Sequence, residues 1–250
     1  MRSSIITDGG TVLISVVIPV HNEEALLAEL VQGITSGLAA DYPDHELILC
    51  ENGSADQTLA LAQALAAQDS RIVVLTSPQA SYGAAIQGGI LHSKGDRVVV
   101  FNADLWDLDF LRQAVTLLET YDMVVASKRH RDSHDRRPFN RRLITWSFNL
   151  ALRLLFGFTG TDTHGMKAFR RARIAPIAAR CITNREIFDT ELILRGQRAG
   201  LTTVEVPVTV EETRPSRYSP MSRLPRTLSD LWQLYLDLTF GPSLALDQST

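Results

Sequence analysis

Acids and amides gather at three places in this chain, each directly after an apolar run. Asn102-Ala103-Asp104 follows the run at 97–101. Oxygen ligands two residues apart at a strand end can face one hard cation and the diphosphate it carries. Magnesium typically uses one or two carboxylates together with substrate phosphates. His21-Asn22-Glu23-Glu24 follows the run at 13–20, and Asn22 and Glu23 can accept hydrogen bonds from a base or a ribose. Glu51 follows the run at 46–50 and can do the same. Gly53-Ser54 then turns the chain toward a helix N-terminus, a natural place for a cap and for an anion. Taken singly, each cluster also reads as an ordinary turn, because Asx residues commonly end strands.

The elements that must position these groups are legible in the pattern. Short Val- and Ile-rich runs at 13–20, 46–50, 71–76, 97–101 and 122–126 alternate with helical stretches at 23–38, 56–68, from Ser81 to near Gly95, and 108–120. That alternation predicts a mostly parallel α/β sheet flanked by helices. Ligands of such sheets bind beyond the carboxyl ends of the strands, so the three clusters predict one shared site. Asp56 is expected to cap or charge the first turn of its helix. Beyond residue 126 the character changes. Residues 127–142 read as a mobile charged loop, 143–158 and 171–200 as helices, 202–210 as a strand, and 224–240 as a leucine-rich helix.

The 250 residues are 45% hydrophobic and 21% charged, which is ordinary for a globular protein. Cys50 and Cys181 form no close motif, so disulfide and zinc frameworks are not expected and a reducing compartment is. The net charge of −3 gives no general pull toward nucleic acid. Locally, Lys128, Arg129, Arg131, Arg136, Arg137, Arg141 and Arg142 face only Asp132 and Asp135, a cluster that reads as a solvated loop or as the seat of an anionic partner. Neither a signal peptide nor a spanning helix is expected.

In order and spacing, these segments resemble the family 2 glycosyltransferases with the GT-A fold. Val16-Val17-Ile18-Pro19-Val20-His21-Asn22-Glu23-Glu24 resembles their opening strand, and Glu51-Asn52-Gly53-Ser54-Ala55-Asp56 their second motif. Tyr82-Gly83-Ala84-Ala85 is similar to their glycine-rich helix start. Asn102-Ala103-Asp104-Leu105 occupies the place of their Asp-Ala-Asp motif. Residues 162–171 resemble a segment of dolichol- and polyprenol-phosphate sugar synthases, and Phe188-Asp189-Thr190-Glu191-Leu192 and Val206-Pro207-Val208 continue the match. Arg214 with Ser219 resembles a terminal phosphate-contacting motif. Four positions depart from the pattern: Asn102 for Asp, Trp106 for Gln or another polar residue, Arg217 for Gly, and Pro220 for Lys.

The resemblance implies one GT-A catalytic domain over 12–221, with a nucleotide-binding half at 12–126 and an acceptor half at 127–221. A lead-in at 1–11 and an amphipathic helix and tail at 222–250 flank it. It implies inverting transfer of a sugar from a GDP- or UDP-linked donor to a polyprenyl phosphate at a membrane surface. Pro19, His21, Asn22, Glu23, Glu51, Gly53, Ser54, Gly83, Asn102 and Ala103 are expected around the donor. Asp104 and Asn102 are expected to hold a divalent cation, Mg2+ or Mn2+, with Asn102 weakening its affinity. Lys128, Arg129, Arg131, Arg214, Arg217 and Ser219 are expected to meet phosphates. A hydroxyl acceptor would need a carboxylate to take its proton. Asp189 is the expected base in that case, and Asp162 a positioning residue near the acceptor.

The stretch at 143–158 is apolar except for a narrow stripe including Thr145, Asn149 and Arg153. Such a helix is buried, in the core or a dimer, or faces a membrane. Arg141 and Arg142 fit an anionic bilayer. Asp230 and Asp237 in the last helix fit it less well. The expected setting is cytoplasmic, peripheral on the cytoplasmic membrane face, with a homodimer or a membrane subunit as further partner. A glycan or small-molecule hydroxyl acceptor, and a nucleotide-sugar-binding protein with impaired catalysis, are the alternatives.

Overall fold

The computed structural model describes residues 12–135, 138–210 and 220–241. Seven strands form the main sheet: β1 (Ile14–Val20), β2 (His45–Asn52), β3 (Ile72–Ser77), β4 (Arg97–Val100), β5 (Met123–Ser127), β7 (Lys167–Arg170) and β8 (Thr203–Pro207). Their spatial order is β3-β2-β1-β4-β7-β5-β8. The sheet is parallel except at β7, which runs antiparallel to β4 on one side and to β5 on the other. A second pair, β6 (His134–Asp135) with β9 (Thr209–Val210), is parallel.

The helices are α1 (Leu27–Ala39), α2 (Thr58–Gln68), α3 (Tyr82–His92), α4 (Leu108–Leu117), α5 (Phe139–Phe156), α6 (Arg171–Ala178), α7 (Phe188–Arg198) and α8 (Pro220–Phe240). Side chains along a strand alternate between faces, and the central strands are apolar on both. Val16, Ile18 and Val20 join the core beneath α1 and α4, while Val17 joins the core beneath α3, α6 and α7. Burial on both faces is why β1 reads as an unbroken apolar run. β1 and β2 lead their connections one way and β4 lies on the other side of β1. The sheet therefore reverses its winding between β1 and β4, where a crevice opens beyond the strand ends.

Several expected boundaries shift. α1 starts four residues later than the pattern predicts, because the Glu23 and Glu24 amides are bound by Thr58 and Asp56 of the neighbouring segment after β2. Asp56 is not the N-cap of α2; Gln57 is, without a side-chain cap bond, and Asp56 instead accepts from the Thr58 amide at 3.0 Å. The expected helix at 171–200 is two helices, α6 and α7. Residues 127–135 are not a bare loop: Ser133 Oγ donates to the Ser127 carbonyl at 2.6 Å and accepts from the Val208 amide at 3.1 Å, beside the β6–β9 pair.

The polar stripe of α5 is turned inward at Asn149, which is 5% exposed, and its apolar face is turned outward. Leu152 and Phe156 anchor the helix against Leu231 and Leu234 of α8. Phe139, Leu143, Ile144, Trp146, Leu150, Leu154 and Leu155 are exposed, as are Leu228, Trp232, Leu236 and Phe240 of α8. Among the described residues only Leu91 and Ile182 are comparably exposed large hydrophobics outside these two helices. No helix of the described residues is long and apolar enough to cross a membrane.

Candidate active site

The loops after β1 and β2 are stitched into one wall. Asn22 sits at φ 54°, a left-handed conformation that asparagine tolerates better than most residues. Its backbone N–H donates to Ser54 Oγ at 3.0 Å, and its side-chain Oδ1 accepts from the Ala55 N–H at 2.8 Å. The His21 imidazole lies 2.8 Å from the Asn52 carbonyl. Glu51 is 3% exposed, and its Oε1 accepts from the Ser54 N–H at 2.6 Å. Gly53, at φ 65°, makes the turn between them. Asn52, absent from the expected site residues, fastens this wall to the third loop by accepting from the Ser81 N–H at 2.5 Å.

Pro19 lies in β1 opposite Cys50, beyond the last β4 partner of β1, so its missing N–H costs the sheet no bond on that side. Gly83 is buried, and a side-chain carbon there would come within 2.5 Å of Phe188 Cβ and 2.6 Å of the Asn184 carbonyl carbon. Close packing of α3 on the segment before α7 accounts for this glycine.

Asn102 and Leu105 exchange backbone hydrogen bonds at 3.1 Å in both directions, closing a tight turn after β4. Ala103 is buried within it and Asp104 is exposed at its tip. The indole of Trp106 is turned away under α1, where a side-chain carbon at Gly33 would meet it at 2.7 Å. Among the described residues no group of three or more His, Cys, Asp or Glu could enclose a metal ion. One exposed carboxylate and one amide at a strand end do fit a hard cation that takes its remaining ligands from a diphosphate and water. Asp104 and Asn102 are the residues that would hold it.

On the far side of the crevice β7 delivers its first residue. Lys167, opposite Val100 and Val125, is 1% exposed and lies 2.8 Å from Asp189 Oδ2 at the start of α7. Asp189 is also 1% exposed. The Tyr82 hydroxyl stands 3.1 Å from both Asp189 Oδ2 and Asn102 Oδ1, so one phenol bridges α7 and the cation turn. Burial, then the Asp189 charge, raises the Tyr82 pKa well above its ordinary value and keeps the phenol protonated. Asp189 Oδ1 is buried without a hydrogen-bond partner. Tyr82 and Lys167 carried no expectation of a site role: each is a single residue far in sequence from its partners, and no local motif signals such a bridge.

Asp162, 2% exposed, accepts from the Lys128 Nζ and N–H, each at 3.2 Å, and from the His164 N–H at 3.0 Å. Lys128 Nζ also donates to the His164 carbonyl at 2.8 Å. Burial lowers the His164 pKa, with Asp189 and Asp162 opposing the shift. Arg129 is exposed, and Arg131 is exposed near Asp132. Arg214, Arg217 and Ser219 lie outside the described residues.

The model of the family described as glycosyl transferase family 2 matches residues 15–175. Glycosyltransferase AglD of Haloferax volcanii is 28% identical over 238 residues, covering 92% of this chain and 38% of that protein. The undecaprenyl-phosphate 4-deoxy-4-formamido-L-arabinose transferase of Pseudomonas fluorescens is 31% identical over 235 residues, covering 92% of this chain and 65% of that protein. The chain thus spans between 38% and 65% of the length of these relatives. The glucosyl-3-phosphoglycerate synthase of Mycobacterium tuberculosis, crystallised with Mn2+, UDP and glucosyl-3-phosphoglycerate, superposes with a TM-score of 0.66 at 24% identity, over 96% of this chain and 84% of that one. That likeness is one of fold, the GT-A fold, and it agrees with the sheet order and the crevice between β1 and β4. With its turn chemistry, its sheet and a matched span from 15 to 175, the chain belongs to glycosyl transferase family 2.

Proposed function

We propose that this chain transfers a sugar from a nucleoside-diphosphate donor to a polyprenyl phosphate at the cytoplasmic face of a membrane. The observation that carries the lipid acceptor is the outward apolar face shared by α5 and α8, beside the acceptor half. An exposed patch of this kind marks an interaction surface, and exposed Arg142, Arg153 and Arg226 border it with positive charge. A homodimer or a membrane subunit is the other cover such a patch could take. The curated relatives named for undecaprenyl phosphate point the same way.

In this reading His21, Asn22, Glu23 and Glu51 line the nucleoside side, with Pro19, Gly53, Ser54 and Gly83 shaping the wall. Asp104 and Asn102 would hold Mg2+ or Mn2+, more weakly than two carboxylates would. When bound there, the cation would offset the negative charge that develops on the leaving diphosphate. An oxygen of the acceptor phosphate attacks the anomeric carbon, the bond from that carbon to the diphosphate oxygen breaks, and the nucleoside diphosphate leaves with the electron pair. The attacking oxygen is already anionic, so no proton has to move. Lys128, Arg129 and Arg131 lie on the acceptor side, where cations suit phosphate oxygens, and Asp162 fixes Lys128 there. Arg214, Arg217 and Ser219 complete that group by resemblance.

A second reading, transfer to a glycan or small-molecule hydroxyl, is favoured by one observation: Asp189 Oδ1 is an acceptor without a donor. Radiolabelled sugar separates the two, since label enters the organic phase only when a lipid phosphate is the acceptor. A thermal-shift screen of UDP, GDP and other nucleoside diphosphates, with and without Mn2+, identifies the base, because stabilisation grows with ligand concentration over its dissociation constant. Nucleotide binding without turnover of any donor would instead mark a binding protein with impaired catalysis.

A further inference from the structure

We propose that Tyr82 is a positioning residue that turns the Asn102 amide so that its oxygen faces the cation position beside Asp104, and that the Lys167–Asp189 pair holds Tyr82 in place. This rests on the reading that a nucleoside diphosphate and its cation lie at the Asn102 turn.

The phenol has one proton and stands 3.1 Å from two groups that could accept it, Asp189 Oδ2 and Asn102 Oδ1. A carboxylate is the stronger acceptor, so the proton goes to Asp189. The phenol oxygen is then left to accept. A half-turn of the Asn102 amide exchanges its oxygen and nitrogen and brings an N–H to that phenol oxygen. The donors then run toward one carboxylate: Asn102 Nδ2 donates to Tyr82, Tyr82 donates to Asp189 Oδ2, and Lys167 donates to the same oxygen at 2.8 Å. Each bond has one donor and one acceptor, and Asn102 Oδ1 is released toward the crevice.

A carboxylate at position 102 could not enter this arrangement. It has no proton to give, and it would share one phenol proton with the Asp189 carboxylate. Asn102 is therefore matched to Tyr82: the amide gives up one formal charge at the cation turn and gains a fixed orientation. Trp106, which stands where a polar residue is usual, offers no oxygen and is packed under α1, which leaves that orientation as the means by which the turn presents a second oxygen beside Asp104.

The test is calorimetric titration with UDP, or with GDP if the screen selects it, in the presence and absence of Mn2+. Wild type, Tyr82→Phe, Asn102→Ala, Asn102→Asp and the double variants of Tyr82→Phe with each are compared. Tyr82→Phe is expected to weaken Mn2+-dependent binding about fivefold, the scale of one lost hydrogen bond, and to leave metal-free binding within about twofold. Asn102→Ala, which leaves the buried pair untouched, is expected to cause the same loss. In either the Ala or the Asp background, Tyr82→Phe should cost less than about twofold, because its effect runs through the amide. The proposal is overturned if Tyr82→Phe leaves Mn2+-dependent binding unchanged, costs the same in all backgrounds, or weakens metal-free binding equally. Failure of the wild-type chain to bind any nucleoside diphosphate would overturn the functional reading first, before any variant is compared, and this proposal with it.

Discussion

Lys167 and Asp189 meet at 2.8 Å with each side chain 1% exposed. The lysine comes from the first position of β7, the strand that runs against its neighbours, and the aspartate from the start of α7. Because β7 runs antiparallel, its first residue lies level with Val100 and Val125, near the carboxyl ends of β4 and β5. Two ions taken out of water lose several kcal/mol of hydration each, so their attraction mainly offsets that cost. Removing one partner is a different matter.

Lys167→Met strands the Asp189 charge and is expected to destabilise the fold by about 3–5 kcal/mol. The neutral double variant Lys167→Met with Asp189→Asn should recover most of that loss. Urea unfolding of the three proteins checks it; equal destabilisation of the single and double variants would contradict the account.

Asp104→Ala is expected to remove Mn2+-dependent strengthening of nucleotide binding, and chelation of the metal should do the same to the wild type. Asn102→Asp should strengthen Mn2+-dependent binding by adding a charged ligand. Calorimetry with and without Mn2+ reads both. No change in nucleotide affinity for Asn102→Asp with Mn2+ would count against the cation turn.

Trp146→Glu and Trp232→Glu place charge on the outward faces of α5 and α8, where the native side chains are 48% and 61% exposed. Flotation with vesicles of mixed neutral and anionic lipid should fall about tenfold or more for the pair, as a charge replaces apolar area at the interface. Melting temperature should hardly move. Unchanged flotation would argue against a bilayer on this face, and a wild type that stays monomeric and fails to float would argue against both a bilayer and a second copy.

His164 should make stability depend on pH. Its folded pKa lies below the ordinary 6.5, so the unfolded chain binds more protons between the two values. Stability from this group is complete above about pH 6.5 and falls as pH drops through the folded value. Unfolding free energies measured from pH 7.5 to pH 5 should decline less in His164→Gln than in wild type.

The clustering of polar residues at the strand ends was legible because its chemistry is local. Asn22, Glu51 and Asp104 each end an apolar run, and the period of the runs places those ends together. The wall's dependence on Asn52 and Thr58 was not, since each acts on a neighbouring loop through a backbone N–H. β7 was missed because four residues directly before a helix carry little strand signal. The inward turn of Asn149 was hidden for another reason: helical spacing shows a stripe but not which side the rest of the protein occupies. Tyr82, Asn102 and Asp189 are joined only by the fold, across separations of 20 and 107 residues.

The reversed direction of β7 also bears on how such a protein can diversify. The segment from 157 to 166 feeds β7 at the crevice rim, while Asn22, Glu51 and Asp104 lie at or just beyond the carboxyl ends of β1, β2 and β4. Residues can therefore be exchanged or inserted before Lys167 without disturbing the stitching between Asn22 and Ser54. Under the proposed function, donor and acceptor would meet separately editable stretches of chain, and a chimera that swaps 157–166 but keeps Asp162 for Lys128 tests that separation.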